Sequence, residues 1–201
     1  HPHPRPDAAT VEAGESYLRE LEKFVTAEVD GERIEREDLI PDETIQRLKE
    51  LGTFGIKIPK EYGGLGLSQV YFNKALTTLG SGHPSLTALI SAHQSIGVPQ
   101  PLKLFGTEEQ KRRYLPRLAS TDISAFLLTE PDVGSDPARL ATSAVPTEDG
   151  SGYRLNGVKL WTTNGMIADL LVVMAEVPKS EGHRGGITAF VLEADAPGIV
   201  V

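Results

Sequence analysis

The hydrophobic period changes once along this chain, near residue 121, and that change governs what the chain can fold into. Before it, apolar residues recur at three and four positions, first at Tyr17, Leu18, Leu21, Phe24 and Val25 and then at Ile45, Leu48 and Leu51, the spacing of an amphipathic helix face. After Ser120 the apolar runs are short and β-rich: Ile123 to Leu128, Ala141 to Val145, Tyr153 to Leu155, Val158 to Trp161, Leu170 to Ala175 and Ile187 to Glu193. Between them stand Asp149-Gly150, Asn156-Gly157 and Asn164-Gly165, dipeptides that tolerate the positive φ of tight turns. Helices followed by strands, without alternation, imply an α+β fold: an N-terminal helical bundle and then an antiparallel β domain. The boundaries this predicts are a flexible lead-in over 1–9, a helical domain over 10–121 and a β domain over 122–201.

Within the helical part, two amphipathic helices are joined by a charged segment, Asp30 to Asp38, and Gly52 sits where a left-handed cap would end the second. A turn-rich loop, Ile58 to Gly66, precedes a third helix that carries Val70, Tyr71, Leu76 and Leu79 and stops near Gly80. Pro84 suits the first position of a fourth, with Leu86, Leu89, Ile90 and Ile96 on its apolar face and Pro99 and Pro101 ending it. Thr107-Glu108-Glu109-Gln110 has the spacing of a capping box and opens a fifth.

Bulk properties narrow the function. The 201 residues, 39% hydrophobic and 24% charged, suit an ordinary globular core. The longest apolar stretch, Ala168 to Ala175, is far short of the roughly 20 residues that span a bilayer. A net charge of -8 with no basic stripe opposes binding to nucleic acid. The absence of cysteine rules out thiol catalysis and cysteine zinc sites within this sequence and fits a reducing cytoplasm. The opening His1-Pro2-His3-Pro4 lacks the charged and apolar regions of a secretory signal.

Most chemical motifs fail on inspection. Gly80 to Ser85 follows a helix and Gly63-Gly64-Leu65-Gly66 has the wrong spacing, so neither meets the strand-loop-helix context of a dinucleotide loop. His93 has no carboxylate or second histidine three or four positions away and reads as a satisfied helix residue. His83 and His183 read as loop residues, and His1 and His3 as part of the lead-in. No serine-histidine-acid order is visible.

Phe126 to Asp136 stands apart, with small and hydroxylated residues around one glycine at the end of an apolar strand. Such a loop can present backbone N–H groups and hydroxyls to an anion. An ordinary strand exit with Asp132 and Asp136 as solvated turn residues explains the same residues. Trp161, in Lys159-Leu160-Trp161-Thr162-Thr163-Asn164, reads first as a buried aromatic, although an indole beside hydroxyls can also flank a planar heteroaromatic ligand.

Four stretches in order resemble the acyl-CoA dehydrogenase family: Ile58-Pro59 with Glu61 to Gly66, Phe105 to Leu118, Thr129 to Asp136, and Leu155 to Asn164. Ala92 to Gly97 further resembles members acting on long and very long acyl chains. The resemblance implies a helical N-terminal domain and a β-barrel middle domain, FAD as cofactor, an acyl-CoA substrate, electron-transfer flavoprotein as acceptor, and a homo-oligomer, tetramer or dimer. By position it implies that Phe126, Leu128 and Thr129 meet the flavin, that Gly134 belongs to the cofactor site, that Ser135 faces the FAD pyrophosphate and the acyl-CoA, and that Trp161, Thr162 and Thr163 line the isoalloxazine, Thr163 nearest N5. The implied reaction is α,β-dehydrogenation of the thioester to a trans-2-enoyl-CoA.

The sequence reaches Val201 while still in the middle domain, so the resemblance also implies an incomplete barrel and a truncated chain without the family's C-terminal helical domain. That domain carries the catalytic glutamate, and no residue here inherits the role; Glu130 belongs to the motif but does not hold it. A non-catalytic module that binds flavin or acyl-CoA, and a fragment of an acyl-CoA oxidase, are the alternatives.

Overall fold

A computed structural model describes residues 7–180 and 184–201, which leaves His1, His3 and His183 outside the described residues. Backbone contacts divide the chain into two compact units, one ending at Asp122 and one beginning at Ile123.

The first unit is helical. Helix α1 (Ala8–Glu28) starts inside the stretch predicted as lead-in, because Asp7 caps it by accepting the Thr10 N–H at 2.8 Å. Leu21, Phe24 and Val25 are buried along its inner face. The charged segment predicted as a linker is itself a helix, α2 (Gly31–Glu37), followed by α3 (Asp42–Glu50). Asp30 caps α2, and Arg33 braces it through Glu37 at 3.0 Å and Glu43 at 2.6 Å. Only Ile34 in α2 is buried, so a seven-residue helix left no apolar repeat to read. Gly52 takes φ 73 after α3, where a residue with a Cβ would be strained.

Helix α4 (Gln69–Gly82) runs to Gly82, and His83 alone separates it from α5 (Pro84–Ser91), whose Ser85 N–H the His83 Nδ1 accepts at 3.2 Å. The fourth predicted helix ends at Ser91 in one wider π-type turn over Ala92–Ile96. That turn sends His93 and Gln94 inward and leaves Ile96 52% exposed rather than on the apolar face. Pro99 and Pro101 begin α6 (Pro99–Phe105) instead of ending a helix, since a first turn has no use for their missing N–H groups. The capping box predicted for α7 (Glu108–Ser120) is formed: Thr107 Oγ1 accepts the Gln110 N–H at 3.2 Å and Gln110 Oε1 accepts the Thr107 N–H at 2.9 Å.

His93 is fully buried, and its Nε2 lies 3.2 Å from Phe54 O and 2.9 Å from Leu118 O. Two acceptors require this nitrogen to carry the proton. Burial pushes its pKa down to about 4. Beside it, Gln94 donates to Thr53 O at 2.6 Å and accepts the Lys57 N–H at 2.9 Å.

The second unit is a five-stranded open sheet: β1 (Ser124–Leu127), β2 (Ser143–Pro146), β3 (Tyr153–Asn156), β4 (Leu170–Val177) and β5 (Gly186–Glu193). It is mixed rather than wholly antiparallel. Strand β1 lies parallel to β4, from Ser124 opposite Leu170 to Leu127 opposite Val173, because the long connection between them carries the chain back before it pairs. Strands β4 and β5, like β2 and β3, are antiparallel, and β2 pairs in parallel with β4 at Ser143 opposite Glu176. Flanked on both sides, β4 is almost continuously buried, which matches its unbroken run Leu170-Leu171-Val172-Val173.

The run Val158 to Trp161 forms no strand, because Trp161 adopts φ 56 and turns the chain out of extended geometry. Gly157 does not make a hairpin turn. Its bare Cα packs onto Thr142, where a Cβ would overlap the side chain and backbone of that residue. At Asn164-Gly165 it is Asn164 that takes the positive φ, 68°. Asp149-Gly150 does close the β2–β3 hairpin, with Asp149 accepting the Thr147 hydroxyl at 2.7 Å.

Candidate functional site

The site builds outward from the end of β1. Past Leu127 the chain leaves the sheet, yet its carbonyls stay engaged: Leu128 O accepts Lys159 Nζ at 3.1 Å and Thr129 O accepts the Leu160 N–H at 2.9 Å. Glu130 and Val133 then exchange reciprocal backbone bonds of 3.0 and 3.1 Å, which folds Pro131-Asp132 into a tight turn pinned by the buried Val133. Gly134, Ser135 and Asp136 follow, all exposed.

Beneath this loop lies a buried ion pair. Glu130 Oε1 accepts Lys159 Nζ at 2.7 Å, and the two side chains are 5% and 7% exposed. Glu130 also accepts the backbone N–H of Ala141 at 2.7 Å and of Thr142 at 3.0 Å. Burial alone would raise the Glu130 pKa, but the Lys159 ammonium and the two N–H donors outweigh it and hold the carboxyl at about 2. It is therefore an anion at any physiological pH and is committed to structure, unsuited to taking a proton.

Across from the loop, Trp161 projects into solvent, 88% exposed, where the residues alone had suggested a buried aromatic. The turn after it is closed by the Gly165 N–H to Thr162 O at 2.9 Å and tied to β1 by Asn164 Nδ2 donating to Ser124 O at 3.2 Å. The hydroxyls of Thr129, Ser135, Thr162 and Thr163, and the N–H groups of residues 134–136 and 161–163, make no hydrogen bond among the described residues. Left-handed geometry at Trp161 inside such a run of free N–H groups is the backbone arrangement that receives anions and acceptor atoms.

Of the residues singled out from the sequence, Phe126 pairs with Val172 in the sheet and is half-buried, as are Leu128, Thr129 and Thr162, while Gly134, Ser135, Trp161 and Thr163 are exposed. Two hydrogen bonds, one from the Lys159 ammonium to Leu128 O and one from the Leu160 N–H to Thr129 O, join the Leu128-Thr129 stretch to Lys159-Leu160, directly before Trp161. No hydrogen bond among the described residues joins Gly134 or Ser135 to the Trp161–Thr163 turn. Sequence reasoning gave Lys159 no role of its own, although one lysine inside an apolar run downstream of an acidic strand exit was a visible signal. Among the described residues no group of histidine and carboxylate side chains is placed to hold a metal.

Comparison with known proteins decides the family. Residues 12–122 match the family description of the acyl-CoA dehydrogenase N-terminal domain, and residues 125–201 that of the middle domain. The chain belongs to the acyl-CoA dehydrogenase family.

A "probable acyl-CoA dehydrogenase FadE10" of Mycobacterium tuberculosis is 64% identical over all 201 residues, which make up 31% of that protein. The human very long-chain specific acyl-CoA dehydrogenase of mitochondria is 44% identical over 167 residues, covering 81% of this chain and 25% of the relative. A crystal structure of an acyl-CoA dehydrogenase complexed with FAD, from Bacillus anthracis, superposes with a TM-score of 0.82 at 33% identity, over 94% of this chain and 32% of that one. The chain thus spans about a quarter to a third of the length of these relatives.

Proposed function

We propose that this chain supplies the helical and middle domains, 10–121 and 122–201, of an FAD-dependent acyl-CoA dehydrogenase, and that its sheet unit carries one half of the flavin site. The observation that carries the reading is the set of free hydroxyls and N–H groups at Thr129, residues 134–136 and residues 161–163, beside an indole that the fold leaves in solvent. These groups fit FAD. A run of unpaired backbone donors and hydroxyls suits pyrophosphate oxygens and the acceptor atoms of a flavin ring, and an exposed tryptophan suits its planar face.

In this reading Phe126, Leu128 and Thr129 contact the flavin from the exit of β1. Gly134 and Ser135 bind the pyrophosphate, with Ser135 also serving the acyl-CoA, and Trp161, Thr162 and Thr163 line the ring, Thr163 nearest N5. When bound, FAD supplies the hydride acceptor for α,β-dehydrogenation of an acyl-CoA to a trans-2-enoyl-CoA. The chain's own residues bind and orient, and the indole keeps water from one face of the ring. The base that removes the α proton belongs to no residue of this chain, and Glu130 is excluded because both its oxygens are engaged and its pKa is about 2.

Electron-transfer flavoprotein as acceptor, a homo-oligomeric assembly and long to very long acyl chains complete the proposal, the last supported by the likeness to the very long-chain enzyme. The lack of cysteine supports a cytoplasmic setting, and no described helix is long and apolar enough to cross a membrane. Purified protein from the complete gene should be yellow, with flavin absorbance, and should reduce a dye in the presence of a long-chain acyl-CoA. A colourless protein that takes up no added FAD refutes the reading. Bound flavin without turnover of any acyl-CoA points to a binding module instead.

A further inference from the structure

Three segments of the sheet unit converge on one carboxylate. Glu130 gathers Lys159 at 2.7 Å, the Thr142 N–H at 3.0 Å and the Ala141 N–H at 2.7 Å, while Lys159 also donates to Leu128 O at 3.1 Å. A closed-off pair of this kind is a poor source of net stability, because stripping water from two charges offsets their attraction and an apolar pair of equal volume does as well. An apolar pair cannot fix distances and directions as these four bonds do. Lys159 immediately precedes Leu160, whose N–H bonds Thr129 O, and Trp161 follows. The groups on either side of the pair, the Thr129 hydroxyl and the Trp161–Thr163 turn, are among those left without a protein partner.

We propose that Glu130 and Lys159 are positioning residues of the flavin half-site, holding the exit of β1 and the Trp161–Thr163 turn at a fixed separation before the ligand arrives. The inference rests on the flavin reading given above. Neither residue touches the cofactor; they act through Thr129 and through Trp161, Thr162 and Thr163. A half-site set in advance spares FAD the cost of ordering two loops as it binds, so the pair shows in affinity and in the ring's surroundings.

The test uses the protein expressed from its complete gene and reads FAD affinity, the absorption band of bound flavin and the melting temperature. In the double variant Glu130→Gln with Lys159→Met both charges are gone and the shape is nearly kept. It should melt above Lys159→Met, because no buried charge is stranded, yet bind FAD about 10- to 100-fold more weakly than the parent, the loss typical when an outer partner of a bound group is removed, with the flavin band displaced. Lys159→Arg, which keeps the charge and the donors, should recover most of the affinity that Lys159→Met loses. Should the double variant fail to fold, the Lys159→Arg and Lys159→Met pair decides, and equal FAD binding by the two overturns the inference. It is also overturned if the double variant matches the parent in affinity and spectrum. If the parent itself takes up no FAD, the flavin reading falls and the positioning role with it, whereas a parent that binds FAD alongside unaltered variants removes the positioning role alone.

Discussion

Lowering the pH below about 4.5 should cost this protein stability through Glu130, in a step that a single substitution isolates. Its carboxyl titrates at about 2 in the folded chain against 4.5 for the unreacted group. At about 1.4 kcal/mol per pKa unit this difference corresponds to ~3 kcal/mol of folding free energy. A depressed folded pKa contributes stability that is complete above about 4.5 and lost as pH falls toward about 2. The side chain is 5% exposed, so solvent screening takes little from that figure. Denaturant unfolding followed by circular dichroism at pH 7, 5, 4 and 3 should show the parent losing stability through this window, with Glu130→Gln flatter across it. At neutral pH, Lys159→Met alone strands a buried carboxylate and should cost about 3–5 kcal/mol. The double variant should cost less than Lys159→Met alone, because no buried charge is then stranded, so the two single losses are not additive. Parallel pH curves for parent and Glu130→Gln, or strictly additive single variants, would refute the account of the ion pair.

Three further outcomes follow from single residues. Because burial holds His93 at about 4 against 6.5 unfolded, its contribution is complete above pH 6.5 and lost as pH falls toward 4; His93→Gln should flatten that part of the stability profile, and an unchanged slope argues against it. Gly157→Ala should destabilise by about 1–3 kcal/mol in thermal or denaturant unfolding, since the new methyl overlaps Thr142, and a neutral effect would mean that this approach is looser than described. Trp161 is the only tryptophan, so FAD added to apoprotein should quench the intrinsic fluorescence; Trp161→Phe should abolish that signal while shifting stability by less than about 0.5 kcal/mol, as befits an 88% exposed side chain.

How far the sequence could be read depended on whether the deciding contacts were local. Leu21, Phe24 and Val25 announce their helix because one face repeats, and Thr107 with Gln110 announces a cap because both partners lie within one turn. Gly31–Glu37 carries no helix signal, since a lone Ile34 makes no period, and the local sequence at Pro99 suits a helix end and a helix beginning equally well. The Thr129 to Asp136 loop stood out through its own hydroxyls and glycine. The pairing of Glu130 with Lys159 did not, because it depends on which carbonyls face which amides once β1 lies beside β4. Nothing in the four residues of β1 states that their partner is parallel, and for the same reason the φ of Trp161 was invisible until tertiary structure set it.

The parallel pairing of β1 with β4 bears on the order of events during folding. The hairpins β2–β3 and β4–β5 bring together strands that follow one another in the chain, but β1 must wait until Leu170 has been made and delivered to it. Closing so long a loop is slow and gains nothing until it is complete. Both segments proposed to receive the flavin, the exit of β1 and the Trp161–Thr163 turn, lie inside that loop. On a ribosome the proposed half-site therefore cannot be set before β4 is made, and a flavin nucleotide present from the start of synthesis finds nothing to hold until β1 and β4 have paired.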